Sequence, residues 1–223
     1  MNQLIRARLK RSAPIVSLGR LLLPAQDAAR TDAAHRLVWS LFAGDPDRRR
    51  DFLWREEAPG QFIIFAPEPP PPSDLFEVEA KEFAPVLAVG DRLRFLLRAN
   101  ATVSKKTKSG DRGRRADVVM AAIHGAPKGE RAEARRDAIE TAGRAWLARQ
   151  GDTHGFFLPR PVAVDGYNRL KLPRIGGRPI EIGTLDFEGV LDIADPARFL
   201  AALAQGFGRA RAFGCGLMLI RRI

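Results

Sequence analysis

Residues able to transfer protons near neutral pH are scarce in this sequence. Of its three histidines, His35 falls in a stretch with helical periodicity, whereas His124 and His154 stand next to glycines in loop-like segments. An imidazole ordinarily titrates close to neutrality, so it can act as a general acid or a general base. A histidine in a helix is also compatible with a structural role, so the pattern alone leaves both interpretations open.

The spacing of acidic residues and histidines does not favour a bound metal. No pair of histidines, and no histidine–glutamate pair, has the spacing of metal ligands, and Asp and Glu form no compact cluster suited to two catalytic ions. The single cysteine, Cys215, excludes a cysteine-based zinc site and an internal disulfide. We therefore expect no metal and no small-molecule cofactor, and the lone cysteine suits the reducing cytoplasm.

A glycine-rich segment near the C-terminus is the most specific local pattern. Gly206–Gly208 and Gly214–Gly216 each have the form glycine, one other residue, glycine, and they enclose Arg209 and Arg211. Glycines permit positive φ and close backbone approach. The N–H groups of such a loop can hold phosphate oxygens beside arginine side chains. The alternative is a plain glycine-rich turn from a helix into a terminal strand, and this order is the reverse of a dinucleotide-binding fingerprint.

Basic residues are concentrated in the middle of the chain and in excess overall. Lys plus Arg number 37 against 26 Asp plus Glu, a net charge of +11. Arginines alternate along the predicted strand 92–100, and the loop 104–115 has six bases and one acid. This excess predicts a polyanion partner, although a basic run can also be a solvated segment. The predicted RNA-backbone contacts are Arg92, Arg94, Arg98, Lys105, Lys106, Lys108, Arg112, Arg114, Arg115, Arg209 and Arg211.

Composition and periodicity predict a globular α+β protein in two units. Hydrophobic residues make up 45% of the 223 residues, and no apolar run approaches the ~18–20 residues that span a bilayer, so we expect no membrane partner. Residues 1–103 read as strand, helix, hairpin and strand, close to a ferredoxin-like βαββαβ pattern with a weak second helix. The basic loop 104–115 would be a linker. Residues 116–223 would form a second unit of similar element order.

Four segments, taken in order, resemble one known family. They are Arg92–Asn100, Arg115–Val119 after the basic loop, Phe187–Leu191 and the glycine-rich loop Gly206–Gly216. Together with the helix that carries His35, they resemble the CRISPR-associated CasE family, the endoribonucleases of type I-E systems that process precursor CRISPR RNA. The resemblance extends over essentially the whole chain.

The resemblance implies a fold, an activity and partners. It implies two tandem ferredoxin-like domains, cleavage at the 3′ base of a CRISPR repeat stem-loop, and retention of the product hairpin within the Cascade complex. The family's catalytic histidine lies on the first helix, which corresponds to His35. Many members have a tyrosine three positions before it, whereas Asp32 stands there in this sequence. Another residue, such as Lys171, would then supply the missing function.

The expected reaction is a metal-independent transesterification. The ribose 2′-OH would attack the adjacent phosphate, with His35 as general base on that hydroxyl or as general acid on the 5′-oxygen. Lys171 or a nearby arginine would stabilise the transition state. The products would be a 2′,3′-cyclic phosphate, or its opened 3′-phosphate, and a 5′-hydroxyl. The alternatives are a non-cleaving RNA-hairpin-binding subunit of a ribonucleoprotein complex and a structural binder of other cellular RNA.

Overall fold

The computed structural model describes residues 2–12, 22–43, 50–105, 114–127, 129–172, 177 and 179–223. Within these residues the chain forms two larger antiparallel sheets and a separate two-stranded hairpin. Helices pack against one face of each larger sheet and bury two separate apolar cores. The predicted α+β class is therefore confirmed.

The N-terminal unit consists of one four-stranded sheet and one long helix. Its elements are β1 (Gln3–Leu9), α1 (Asp27–Ser40), β2 (Leu53–Ala58), β3 (Gln61–Ala66) and β4 (Phe76–Glu82). The strand order β2-β3-β1-β4 is that of a ferredoxin-like sheet. Ala34, Leu37 and Val38 recur at helical spacing and bury one face of α1 against the sheet. Residues 67–75 form no helix, because consecutive prolines remove the backbone donors that a helix needs.

The C-terminal unit repeats this strand order with an insertion. Its elements are β5 (Arg92–Ala99), β6 (Thr102–Lys105), β7 (Arg114–Asp117), α2 (Val118–Ala122), α3 (Arg131–His154), β8 (Phe156–Phe157), β9 (Ala163–Leu172), β10 (Ile180–Ile193), α4 (Pro196–Gln205) and β11 (Met218–Arg222). The sheet order is β11-β5-β10-β8, with β9 also paired to β10. The inserted hairpin β6–β7 and the short helix α2 lie between β5 and α3.

The boundary between the units differs from the expected one. We expected the first unit to extend to residue 103, but β5 pairs with β10 and β11 of the second sheet. The division into 1–103, 104–115 and 116–223 is therefore wrong at this strand, and the basic loop belongs to the insertion in the C-terminal unit. The error has a physical cause: β4 and β5 both alternate apolar and charged residues, and this alternation identifies a strand without showing which sheet the strand joins.

A small apolar cluster joins the two units. Leu53, Ile63 and Phe65 of the first sheet pack with Leu217, which precedes β11. The short turn 211–213, within the glycine-rich loop that follows α4, also contacts α1. None of the helices in the described ranges is long and apolar enough to cross a bilayer.

Candidate active site and RNA-binding surface

His35 lies on α1 where the N-terminal unit meets the C-terminal unit. Its imidazole is partly buried and packs edge-to-face against Phe213, with ring centroids 5.3 Å apart and an interplanar angle of 72°. The Nε2 atom is buried and has no hydrogen-bond partner within the described part of the chain. A buried nitrogen without a partner has lost its hydration, so it is suited to hydrogen-bond a bound substrate.

Several effects set the protonation of this imidazole. Burial is the largest, and it lowers the pKa of His35. The carboxylate of Asp32 acts in the opposite direction, while the positive charges of Arg50 and Arg36 lower the pKa further. The net shift is downward, so His35 is predominantly neutral at pH 7 and is able to accept a proton.

Asp32, which stands where many family members have tyrosine, is engaged within the same helix. Its carboxylate lies 3.2 Å from Arg36 one helical turn later. The single tyrosine of the sequence, Tyr167, donates its hydroxyl to Asp117 Oδ1 at 3.0 Å, and burial raises its pKa. No phenol therefore takes the place of the family tyrosine beside His35.

Two arginines from distant parts of the chain add positive charge near His35. Arg50 lowers the His35 pKa. Desolvation, and then the charge of Arg211, lower the pKa of Arg50 itself. Cations brought together in this way are stabilised by a bound anion such as phosphate. Arg211 was predicted from its loop, but Arg50 was missed because it belongs to no motif and adjoins residues 44–49, outside the described ranges.

The glycine-rich loop is held to the end of β5 by backbone hydrogen bonds. The N–H groups of Phe207, Arg209 and Gly216 donate to carbonyls of Gly216, Asn100 and Arg98 at 2.9, 3.2 and 2.7 Å. These three N–H groups are therefore unavailable to phosphate, in agreement with the simpler interpretation of a packed turn.

Close packing explains why this loop needs glycine. All four glycines of the pattern have positive φ. At Gly208, a Cβ atom would lie 2.8 Å from the Asn100 carbonyl oxygen. Positive charge in the loop comes from Arg209, which is exposed, and Arg211, which is partly buried.

The three arginines of β5 share one face of the strand, as predicted, but two of them are neutralised. Arg92 forms two hydrogen bonds of 2.8 Å with Asp192, and Arg98 forms two of 2.8 Å with Asp186. These aspartates lie directly opposite on β10. The sequence places the arginines but does not show which strand faces them, so it could not show that Arg92 and Arg98 are paired. Arg94 remains exposed.

The basic hairpin is only partly described. Arg115 is exposed at its base on β7, and Lys105 and Arg114 lie within its two strands. Lys106, Lys108 and Arg112 lie outside the described residues. Asp117 anchors the hairpin because its side chain accepts hydrogen bonds from the Met120 N–H and from Tyr167.

Lys171 lies on the strand face that points away from the space beside α1. Asn168 and Leu170 of β9 line that space, and successive residues of a strand point to opposite faces. The Lys171 ammonium lies 3.6 Å from Glu181 on the neighbouring strand. This placement favours Arg50 and Arg211 over Lys171 as the cations near the reacting phosphate.

A cavity of about 440 Å³ separates the two units beside α1. Its arginines are already paired, because Arg30 bonds Glu56 at 3.0 and 3.2 Å and Arg98 bonds Asp186. The cavity wall therefore offers no free cation among the described residues. Exposed basic side chains lie instead on the hairpin, at Arg115, and in the glycine-rich loop, at Arg209.

These features define a class of protein. The fold is a tandem pair of ferredoxin-like units with a basic hairpin inserted in the second and a histidine at their junction. The chain matches the family described as CRISPR associated protein over residues 4–222, and it belongs to that family.

Comparison with individual relatives identifies the chain as a member of the CasE family. The chain is 28% identical to the CRISPR-associated endoribonuclease Cse3 of Thermus thermophilus, over 90% of this chain and 96% of the relative. It is 31% identical to the Cascade subunit CasE of Escherichia coli, over 82% and 88%. Among solved structures, it resembles Cse3 bound to a 19-nucleotide RNA with a TM-score of 0.66 and 26% identity, covering 99% and 100% of the two chains.

Proposed function

We propose that this protein is the endoribonuclease that processes precursor CRISPR RNA in a type I-E system. It binds the repeat stem-loop and cleaves at the 3′ base of the hairpin. The observation that carries the proposal is the His35 Nε2 atom, which is buried without a hydrogen-bond partner among the described residues at the junction of the two units. Membership of the CasE family and the similarity to an RNA-bound endoribonuclease support the same activity.

The proposed reaction is attack of a ribose 2′-OH on its own phosphodiester. Neutral His35 removes the hydroxyl proton, the 2′-oxygen forms a bond to phosphorus, and the bond from phosphorus to the 5′-oxygen breaks. The products are a 2′,3′-cyclic phosphate and, after the leaving oxygen takes a proton, a 5′-hydroxyl. Acid–base help of this kind contributes about 10²–10⁴-fold in rate. Because its pKa is lowered, His35 is better suited to the role of base than of acid.

The cations near His35 have a defined task in this scheme. Negative charge on the phosphoryl oxygens grows in the transition state, and fixed positive groups stabilise it without reorganising. Arg50 and Arg211 are the pair whose mutual repulsion a bound phosphate relieves. The basic hairpin and Arg209 contact the backbone of the stem, which as an A-form helix is recognised mainly by shape.

The proposed partners follow from the same assignment. The protein binds the CRISPR repeat hairpin and remains with the product as a subunit of Cascade, the complex for which its E. coli relative is named. No metal or small-molecule cofactor takes part in the proposed reaction. We place the protein in the cytoplasm, where a single buried thiol stays reduced.

One experiment separates this proposal from its main alternative. A repeat hairpin from the same genome is incubated with the protein in EDTA, alongside a hairpin in which hydrogen replaces the 2′-OH at the cleavage site. Cleavage of the first and not of the second supports the enzyme. Intact RNA at saturating protein would overturn the enzyme and leave the non-cleaving hairpin-binding subunit, the alternative that Asp32 in place of the family tyrosine keeps open.

A further inference from the structure

The segment that touches the His35 ring comes from the other unit of the molecule. After α4, the chain forms a short 3₁₀ turn, Arg211–Phe213, that reaches across to α1 and β2. Its last residue, Phe213, is the one in ring contact with His35. The histidine thus belongs to the N-terminal unit, while the group that packs against it belongs to the C-terminal unit.

The turn is held in place by a tryptophan of the N-terminal unit. Trp54 on β2 is 2% exposed, and its indole Nε1–H donates to the Ala212 carbonyl oxygen at 3.1 Å. Gly214 follows the turn with φ of 76°, and a Cβ atom there would lie 3.1 Å from the indole ring. The indole therefore contacts the turn by a hydrogen bond and by close packing.

The backbone that leads into the turn is constrained. Ala210 has φ of 52° and is the sole non-glycine residue with positive φ in the described ranges. Its carbonyl accepts the Phe213 N–H at 2.8 Å. Residues other than glycine adopt this conformation rarely, and they persist in it where the surroundings over-determine the backbone. The turn thus presents Phe213 to His35 in a defined position.

We propose that Phe213 is a positioning residue that sets the orientation of the His35 imidazole, and that Trp54 holds Phe213 in place. The proposal rests on the proposed nuclease function. The buried Nε2 has no hydrogen bond of its own within the described residues, so ring packing has to define where that atom points. Neither unit alone then contains a competent histidine, because the second unit completes the site of the first.

The test compares cleavage and protonation in three variants. Phe213→Ala should lower kcat by about 10- to 100-fold, because small misplacements of a reacting group are costly, while hairpin affinity stays unchanged. The acidic limb of the kcat–pH profile should move to higher pH, since a hydrated imidazole regains its ordinary pKa. Phe213→Tyr should restore most of kcat because it keeps the ring. Trp54→Phe should shift both measurements in the same direction by less, because it removes the indole hydrogen bond and part of the packing on the turn but leaves the Phe213 ring in place.

A matched control and a second readout keep the proposal falsifiable. Phe157→Ala truncates a phenylalanine that is 52% exposed and should change neither kcat nor its pH profile. NMR titration of the His35 ring measures its pKa without relying on activity. If the wild type does not cleave RNA but Phe213→Ala raises the His35 pKa, the nuclease function is wrong and the positioning role stands. An unchanged His35 pKa and pH profile in Phe213→Ala would overturn the positioning role. If thermal melting shows that variant unfolded, Phe213→Leu takes its place under the same criteria.

Discussion

The two units share one strand order but carry different additions. In the N-terminal unit the second helix of the ferredoxin-like pattern is absent, and the described residues 67–75 connect β3 to β4 without one. The C-terminal unit keeps both helices and gains the basic hairpin and α2 between its first strand and first helix. Two sheets of the same strand order thus carry different features, the helix with His35 in the first unit and the basic hairpin in the second.

The largest expected effect tests the chemical half of this division. His35→Ala should reduce kcat by about 10²–10⁴-fold, the usual contribution of a general base. Hairpin affinity should remain close to that of the wild type, because the imidazole is assigned to proton transfer. Single-turnover cleavage and equilibrium binding of an uncleavable hairpin measure the two quantities.

The control for this variant is His124→Ala. His124 is exposed and follows α2 in the other unit, so its loss should leave kcat unchanged. Parallel losses of activity and affinity in His35→Ala would reassign His35 to a structural role.

The next largest expected effect tests RNA binding by the basic loop 104–115. Replacing the six bases of 104–115 by serine should weaken hairpin binding while leaving kcat at saturating protein nearly intact. If about six phosphates are contacted by the whole surface, the log–log salt slope of the wild type is about −5, and each contact removed should flatten it by roughly 0.9. Titrations at several salt concentrations give the slope.

Arg92→Gln tests whether a paired arginine contributes to RNA binding, because Arg92 is basic but paired with Asp192. Its salt slope should match that of the wild type, whereas Arg115→Gln should flatten the slope. Equal slopes for Arg115→Gln and the wild type would remove the hairpin base from the RNA-binding surface.

A smaller expected effect is the dependence of kcat on pH. Because burial lowers the pKa of His35, the unprotonated base should persist at pH values below its ordinary titration range. Activity is then lost as the pH falls through this lowered pKa, so the plateau of kcat should extend on the acidic side of 6.5. A kcat–pH profile measured at constant ionic strength checks this, and an acidic limb above 6.5 would contradict it.

The smallest expected effect is at Lys171. Because its ammonium lies near Glu181 on the strand face away from α1, Lys171→Ala should leave kcat unchanged. Arg211→Ala is the comparison, since Arg211 lies within the turn that contacts the site and its loss should lower kcat. A Lys171→Ala variant without activity would restore the role that the family resemblance suggested for this lysine.

Local sequence patterns were sufficient to predict several helices and strands. Apolar residues at helical spacing predicted the helix around His35, which the structure forms at Asp27–Ser40. Alternating arginines predicted a strand at 92–100 with the three side chains on one face, and β5 covers Arg92–Ala99. In each case the signal is a periodicity within a few consecutive residues, which depends on backbone geometry alone.

The features that sequence reasoning missed depend on contacts between residues that are far apart in the chain. The expected unit boundary was wrong because it depended on which strand β5 would join, and the pairing of Arg92 and Arg98 depended on which residues would face them from β10. The contacts of Trp54 with the 3₁₀ turn join residues 158 positions apart. No local pattern in a single sequence encodes such a pairing.

The basic character of this protein, its α+β elements and the helix that carries His35 follow from composition and short-range periodicity, which are properties of the sequence and of neighbouring residues. Knowledge of the folded chain was needed to identify which arginines are neutralised, which cations approach His35 and which ring packs against it. Those outcomes depend on strand pairing and on the meeting of the two units, and both are set by the burial of apolar surface across the whole chain.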